Sequence, residues 1–268
     1  MKKTLSVLTL LFIALCTNAQ SHHFTKITVA SWNIGHFSLG QSSDTKLTHL
    51  TQKFYRQTYR AYFNDLNADI LSLVEYNPLM VNADGDKSAI ETHEAILPCY
   101  HDAQIGPKYG YNCNAIFSNG LQVLRTDTVP FTKMVQKRYY LVSTMLMDGD
   151  TVKVVSTHLD WNQGENGASY RTMQIEELIE TFKNYRYVIL CADWNTKTTN
   201  EYDTFFKAGY NMANHGYMGD LPTFPAGNPN NALDNIIVKG FAISHVSIID
   251  NAILSDHSLI KADLTKLP

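Results

Sequence analysis

The chain has 268 residues, a length that favours one large domain and is sufficient to bury a sizeable hydrophobic core. Its formal net charge of −3 excludes the global basic field by which many proteins attract nucleic acids, although a local basic groove stays compatible with it. The composition, with 44% hydrophobic and 18% charged residues, is that of an ordinary globular protein and excludes a low-complexity chain.

The N-terminus has the pattern of a secretory signal peptide. Two lysines precede the apolar run Leu5–Cys16, which is too short to span a membrane comfortably. Cleavage after Ala19 predicts a signal peptide of residues 1–19 and a secreted or periplasmic domain of residues 20–268. Loss of the two lysines would change the formal charge from −3 to −5. No later segment has the pattern of a transmembrane helix.

The four cysteines have different expected roles. Cys16 offers lipid anchoring as an alternative to release, but the large residue Leu15 directly precedes it, so we favour release. Cys191 lies in an apolar strand and is expected to be a small core residue. Cys99 and Cys113 could form one disulfide in an oxidising compartment, a pairing that the sequence leaves open.

Two apolar segments in the first third of the chain end on polar side chains. The β-branched segment Lys26–Asn33 predicts a strand that ends on an amide. Helical spacing over residues 44–67 precedes a second predicted strand, residues 68–75, which ends on Glu75. Asn33 alone is typical of a turn, but an amide and a carboxylate at neighbouring strand ends favour a metal site.

The middle of the chain is rich in aromatic and amide side chains. Residues 109–119 contain Asn114, and residues 121–147 predict two antiparallel strands. The local basic cluster of this region consists of Lys133, Lys137 and Arg138. A solvated edge is the favoured interpretation of these three charges.

A third polar strand end follows in residues 151–162. His158 and Asp160 share one face if the strand persists, and a histidine two residues from an aspartate is a candidate for catalysis. The next predicted helix, residues 170–183, carries Arg171 near its start. That guanidinium is placed to contact either the site or the preceding loop.

The segment Tyr187–Asn195 is the strongest of these signals. Five apolar residues of buried-strand length end abruptly in Asp193 and Asn195, which project from one face of an extended chain. A buried, unpaired carboxylate is costly, so this pair favours a site that holds a metal-bound phosphate. Alone, the pair fits a turn about equally well.

Polar residues near the C-terminus complete the pattern. Asp234 begins a late apolar strand, and Asp256 and His257 lie beside serines at a turn or strand start. Strands separated by helices predict an α/β domain, and the hairpin-like middle predicts mixed sheets. The oxygen donors suit a hard cation such as Mg²⁺, with Mn²⁺ or Ca²⁺ as alternatives. Hydrolysis of a phosphate ester by metal-activated water fits this set best.

In this order the residues resemble the endonuclease/exonuclease/phosphatase superfamily, also called DNase I-like, from about Ile27 to Leu264. The matching stretches are Ala30–Asn33, Ile70–Glu75, Ser156–Asp160, Ala192–Asn195, Leu233–Ile236 and Ser255–His257. Each stretch is weak alone, whereas six in one order are specific. The resemblance implies a four-layer α/β sandwich with two mixed sheets face to face and helices outside.

The resemblance also implies catalytic roles. Asp193 would orient or deprotonate the attacking water, and Asn195 would hold a phosphate oxygen. His257, oriented by Asp234, would stabilise the charge on phosphorus or act as the acid–base group. His158 would be the second histidine that faces the phosphate.

Metal and substrate contacts follow in the same way. Glu75 would be the principal metal ligand, helped by Asn33 and, across the site, Asp256. The remaining candidates for substrate contact are Asn114, Asp160 and Arg171.

The substrate class stays open between a nucleic acid, a sugar phosphate and a phospholipid. Related secreted nucleases often carry Arg-Asn where this chain has Tyr111-Asn112 or Cys113-Asn114, which weakens a nuclease assignment. A membrane-lipid phosphodiesterase resembling sphingomyelinase ranks lower, and a non-catalytic binding module ranks lowest because no ligand or histidine is lost. We expect a monomer that does not bind duplex DNA tightly.

Overall fold

The computed structural model describes residues 25–37, 49–81, 89–162, 165–196, 198–216 and 220–268. The predicted signal peptide and the predicted start of the first helix, residues 44–48, lie outside these ranges. None of the described helices is long and apolar enough to cross a membrane.

The first of two large sheets has six strands, among them the first strand of the chain that the structure describes. In spatial order its strands are β13 (Phe241–Ile249), β14 (Leu259–Lys266), β1 (Lys26–Asn33), β2 (Ile70–Val74), β6 (Ala115–Ser118) and β5 (Asp102–Ile105). Strands β1 and β2 are parallel and the other neighbours are antiparallel, so the sheet is mixed as predicted.

The second sheet also has six strands and follows the same plan. In spatial order they are β11 (Asn211–Met212), β12 (Asp234–Lys239), β10 (Tyr187–Asp193), β9 (Asp150–His158), β8 (Tyr139–Met147) and β7 (Gln122–Pro130). Strands β9 and β10 form its parallel pair. A separate hairpin joins β3 (Leu79–Val81) to β4 (Ala89–Glu91).

The helices cover the outer faces of the two sheets. They are α1 (His49–Leu66), α2 (Thr92–Ile96), α3 (Glu165–Phe182) and α4 (Thr199–Lys207). Tyr59 and Phe63 of α1 pack on the first sheet. Leu178 of α3 and Phe205 of α4 pack on the second. The predicted four-layer α/β sandwich is confirmed.

Alternation along the central strands explains why both faces of each sheet are apolar. Val29 of β1 lies between the sheets, whereas Ala30 and Trp32 face the helical side. In β10, Ile189 lies between the sheets and Leu190 faces α3 and α4. Strands buried on both faces read as continuous apolar runs, which is the pattern of these two segments.

Several element boundaries differ from the sequence-based expectations. Strand β9 ends at His158, so Asp160 lies beyond it and does not share its face by alternation. Strand β2 ends one residue before Glu75, whose φ of 53° turns the chain away from the sheet. Cys99 and Cys113 are free thiols, so the disulfide left open by the sequence is absent from this structure.

A buried hydrogen bond between two serines links the two sheets in the core. The hydroxyl of Ser72 in β2 donates to that of Ser156 in β9 at 2.7 Å, and both side chains are fully buried. Ser72→Ala or Ser156→Ala should each lower the free energy of unfolding by about 1–3 kcal/mol, because each leaves the other serine's buried hydroxyl without its hydrogen-bond partner. Urea denaturation measures this loss.

The double variant should lose less than the sum of the two single losses, because no unpaired hydroxyl remains. Ser247→Ala, at an exposed position of β13, is the control and should change stability by less than about 0.5 kcal/mol. Strictly additive losses in the double variant would contradict the coupling.

Candidate active site

The polar strand ends converge at one edge of the sandwich. Asn33 and Val74 are register partners at the ends of β1 and β2, and Asp193 and His158 are partners at the ends of β10 and β9. Asp234 starts the antiparallel neighbour β12 directly opposite Asp193. Because parallel strands finish at the same edge, the fold itself gathers these side chains.

His257 is held by two carboxylates. Its Nδ1 lies 2.7 Å from Oδ2 of Asp234, and its Nε2 lies 3.8 Å from Oδ2 of Asp193. Burial lowers the pKa of His257, but the charge and hydrogen bond of Asp234, helped by Asp193, outweigh burial and raise it to about 10. The imidazole is therefore positively charged at neutral pH. Phe224 covers its ring at a centroid distance of 4.7 Å.

Asp193 lies almost wholly out of water, with 2% of its surface exposed. Its Oδ2 accepts a hydrogen bond from Nδ2 of Asn33 at 2.9 Å, and its Oδ1 accepts one from the backbone N–H of Asn195 at 2.9 Å. Burial and the nearby charge of Asp234 raise the pKa of Asp193 above its ordinary value. A carboxylate with a raised pKa is a better proton acceptor than an ordinary aspartate.

Asn195 and His158 form a second buried pair. Nδ2 of Asn195 lies 2.8 Å from Nε2 of His158 and donates to the carbonyl of Leu159 at 3.0 Å. Asn195 has φ of 52°, so it turns back toward His158 and does not continue the strand. With the amide as donor, Nε2 of His158 accepts and Nδ1 carries the proton toward the cleft.

Glu75 faces the same cleft from the first sheet, with a quarter of its side chain exposed. Its Oε1 lies 3.7 Å from Nδ1 of His158, and its Oε2 lies 3.3 Å from Nε2 of His36. Burial lowers the pKa of His36 to about 4 and that of His158 well below its ordinary value. Both histidines are neutral at pH 7, so neither supplies a counter-charge to Glu75.

Arg138 is a site residue that the sequence interpretation missed. It was expected at a solvated edge, yet only 4% of it is exposed, whereas Lys133 and Lys137 are exposed as expected. Burial lowers the pKa of Arg138, opposed by the charges of Asp160, Asp193 and Glu75. Its Nε has no hydrogen-bond partner. A buried guanidinium with a free donor suits a phosphate oxygen.

Asp160 and Arg171 hold loops beside the site through hydrogen bonds and an ion pair to other protein groups. Oδ2 of Asp160 accepts from Nε2 of Gln174 at 2.7 Å and from the backbone of Val135 at 3.3 Å. Arg171 is 3% exposed and pairs with Glu201 at 3.0 Å. Both predicted substrate contacts are thus engaged with the protein's own groups, and their direct contact with a substrate stays a prediction.

Asn114 and Asp256 lie at the margins of the cluster. Asn114 is fully buried, donates to the carbonyl of Tyr139 at 2.9 Å and leaves its Oδ1 without a partner. Asp256 is exposed, and its charge acts on Glu75, His36 and His257. Its predicted role as a metal ligand is compatible with this exposure.

The assembled cleft has a volume of about 250 Å³. Its walls include Asn33, Glu75, Arg138, His158, Trp161, Asp193, Asn195, Phe224 and His257. Acidic, neutral-imidazole, imidazolium and guanidinium groups therefore surround one small space. Such a set can bind an anion, hold a cation and move a proton within a few ångströms.

Comparison with solved structures decides the fold. The chain superposes on D. rerio TDP2 complexed with a single-strand DNA product at a TM-score of 0.67 and 16% identity, over 90% of this chain and 99% of that one. The human Nocturnin catalytic domain with a bound sulfate anion gives the same score and identity, over 90% and 95% of the two chains. The chain has the endonuclease/exonuclease/phosphatase fold.

A Bacteroides vulgatus protein described as an endonuclease/exonuclease/phosphatase is similar over 90% of this chain and 99% of that one. Its TM-score is 0.65 at 19% identity. No protein-family model matches the sequence, and no curated protein matches it either. The endonuclease/exonuclease/phosphatase fold is thus evident from the backbone at a level of identity where sequence comparison finds no partner.

The charged state of His257 can be checked directly. In metal-free protein kept in chelator, the His257 imidazole should stay protonated until the pH approaches about 10, because Asp234 raises its pKa. Asp234→Asn should move that titration down by at least about one pH unit, since removal of one neighbouring charge shifts a pKa by 1–3 units. Imidazole nitrogen chemical shifts in NMR spectra report the His257 titration in the unmodified protein and in the Asp234→Asn variant.

His158 in the same spectra is the internal control. Burial lowers its pKa, so it should be neutral at pH 7, where His257 is charged. A His257 that titrates near pH 6.5 in the unmodified protein would remove the basis for the Asp234 pairing.

Proposed function

We propose that this chain is a secreted hydrolase of phosphate esters that depends on a divalent metal ion. The observation that carries the proposal is the convergence of Asp193, the charged pair Asp234–His257 and the buried guanidinium of Arg138 on one cleft. The anions in two fold neighbours, a single-strand DNA product and a sulfate, support an anionic substrate. The signal-peptide pattern of residues 1–19 supports secretion.

The donor set beside Glu75 fits a hard cation. Burial raises the pKa of Glu75, a contact with Asn33 only partly opposes this, and both nearby histidines are neutral. The charges of His257 and Arg138 also oppose the effect of burial, yet the pKa of Glu75 stays raised. A partly buried carboxylate of this kind, close to the exposed Asp256, is the arrangement that Mg²⁺ relieves, and Mn²⁺ or Ca²⁺ are alternatives. When bound there, the ion supplies Lewis-acid charge to the phosphate oxygens.

A second group of candidate ligands fits a metal less well. Asp193, Asp234 and His257 offer ligand atoms within 4.8 Å of one another. However, the pKa of His257 is raised to about 10, and a protonated imidazole cannot coordinate a metal. The charged His257 imidazole, which lies near both carboxylates, already supplies the positive charge that a metal would bring. We therefore assign the cation to Glu75, Asn33 and Asp256.

The other residues of the cleft then divide the work. Asp193 orients the attacking water and accepts its proton, helped by its raised pKa. Charged His257 stabilises the negative charge that develops on the phosphate, and Asp234 fixes its orientation. His158, positioned by the side-chain amide of Asn195, presents its Nδ1–H to a phosphate oxygen, and the guanidinium of Arg138, which lines the cleft, anchors the phosphate.

Metal dependence has a direct test. Glu75→Gln keeps the shape of the side chain and removes its charge, so turnover should fall at least about 100-fold, since a bound metal contributes several kcal/mol to the transition state. Plasmid DNA, sphingomyelin, inositol phosphates and a chromogenic phosphodiester, each with Mg²⁺, Mn²⁺ or chelator, would identify the substrate class as well.

The exposed residue Glu176 of α3 provides the matched control, because Glu176→Gln makes the same change away from the cleft. This variant should retain full turnover, and circular dichroism should show both variants folded. Undiminished hydrolysis by the wild type in excess chelator would exclude the metal mechanism.

Weak binding of duplex DNA is a separate expectation. Affinity for duplex DNA comes mainly from many Lys and Arg contacts with phosphates. Arg138 is buried and could contact a single phosphate, and the predicted mature chain is net acidic. The inactive variant Asp193→Asn, titrated with duplex DNA at several salt concentrations, should show a shallow salt dependence. A log–log slope that implies about six or more phosphate contacts would contradict this and favour a nuclease.

A further inference from the structure

A larger groove opens directly beside the catalytic cleft. It has a volume of about 550 Å³, within the range of roughly 300–1,000 Å³ that holds small molecules. Three aromatic side chains, Tyr109, Tyr111 and Trp161, line it, and we call it the aromatic groove. Glu75, Arg138 and Trp161 line both the groove and the cleft, so the two spaces adjoin.

The three rings expose large apolar faces to solvent. The exposed fractions are 78% for Tyr111, 54% for Trp161 and 43% for Tyr109. These values stand out in a chain whose other two tryptophans, Trp32 and Trp194, are buried. Exposed aromatic surface grouped at one concave place marks a binding site, whereas isolated exposed rings do not.

The first side of the groove is fixed before any ligand binds. Tyr109 and Asn112 exchange two backbone hydrogen bonds, of 2.8 and 3.0 Å, which close a tight loop around Tyr111. The Tyr109 ring packs edge-on against the buried Tyr139, and the Tyr111 ring lies 4.8 Å from that of His36. Tyr111 is thus held next to the same histidine that contacts Glu75.

The opposite side is fixed by a buried network. Nη1 of Arg171 donates to the carbonyls of Asp160 and Asn162, at 3.1 and 3.0 Å, and so clamps the chain on both sides of Trp161. The Asp160 carboxylate in turn accepts from the backbone of Gln136 at 3.4 Å, in the loop that leads to Arg138. Arg171 and Asp160 are therefore positioning residues for this wall.

We propose that the aromatic groove is a specificity subsite that binds a flat aromatic group carried by the phosphate-ester substrate. The inference rests on the proposed function, because it places the phosphate against Arg138 in the cleft and one ester substituent in the groove. Stacking on aromatic faces selects planarity and tolerates many ring types. Lys137, whose Nζ lies 5.1 Å from the Tyr109 ring centroid, adds a positive charge at the rim.

Planarity can be isolated in a pair of substrates. Benzyl phosphate and cyclohexylmethyl phosphate have the same ester linkage and similar size, and differ in whether the ring is flat. Each is assayed as the monoester and as its methyl diester. Wild-type kcat/KM should favour the flat ring by roughly 5- to 100-fold, the range that one stacked ring contributes. A comparison of kcat/KM for thymidine 5′-phosphate and ribose 5-phosphate tests whether a nucleobase can be the flat group.

Two substitutions test the groove itself. Trp161→Ala and Tyr111→Ala should each reduce the benzyl-to-cyclohexylmethyl ratio of kcat/KM by several-fold or more, and Trp161→Phe should restore part of it. Phe54→Ala is the matched control, because Phe54 is 59% exposed on α1 and lies outside the groove. This control should leave the ratio unchanged.

Binding is measured without turnover in the Asp193→Asn variant. Trp161 is the exposed one of the three tryptophans, so a flat ligand in the groove should quench tryptophan fluorescence. Benzyl phosphate should quench it saturably, cyclohexylmethyl phosphate should quench it far less, and Trp161→Ala should abolish the effect.

The outcomes separate the two proposals. Saturable quenching by the flat ligand without hydrolysis of any ester would refute the proposed function and leave the binding site standing. Hydrolysis of both esters at equal kcat/KM, with equal quenching, would overturn the subsite and leave the hydrolase standing. A ratio that Trp161→Ala and Tyr111→Ala do not change would also overturn it.

Discussion

The burial of the Asp193 carboxylate is the constraint on which the rest of the site depends. An isolated carboxylate in that position would cost several kcal/mol, so the surrounding groups must compensate for the lost water. Asn33 from the first sheet, the backbone of Asn195 and charged His257 supply that compensation. The donors come from both sheets, so the site exists only when the sandwich has closed.

Charge is distributed unequally around this carboxylate. Burial keeps His36 and His158 neutral, whereas Asp234 keeps His257 charged. Three neighbouring histidines therefore have two different protonation states at neutral pH, and the difference comes from the charge and hydrogen bond of Asp234 at His257. The protein obtains one fixed positive charge and two neutral donors from a single side-chain type.

Much of the fold could be predicted from the sequence because its signals are local. The apolar runs of β1 and β10 and the polar residues at their ends are visible in the chain itself, and they identified Asn33 and Asp193. Their order along the chain carried the resemblance to a known superfamily. The sandwich that this resemblance implied agrees with the structure and with the fold neighbours.

The errors occurred where a residue's environment depends on distant partners. Alternation places Asp160 beside His158 only while a strand lasts, and β9 stops at His158. Gln174, fourteen positions later, then captures the Asp160 carboxylate. The sequence around Arg138 gives no local signal of burial apart from the buried start of β8 that follows it. The charges that surround it come from distant residues, Glu75, Asp160 and Asp193. His36 was missed because it follows β1 in a short turn, with φ of 57°, that brings its ring within 3.3 Å of Glu75.

The way in which Arg171 holds its loop has a consequence for how this protein can change over time. It bonds the main-chain carbonyls on either side of position 161 and does not contact that side chain in these bonds. These two bonds therefore do not depend on which side chain occupies position 161. If the aromatic groove binds substrate as proposed, replacement at this position would change the surface that the loop presents without removing either main-chain bond. Main-chain bonds thus fix the position of the loop, and the side chain at position 161 decides the surface that the loop presents.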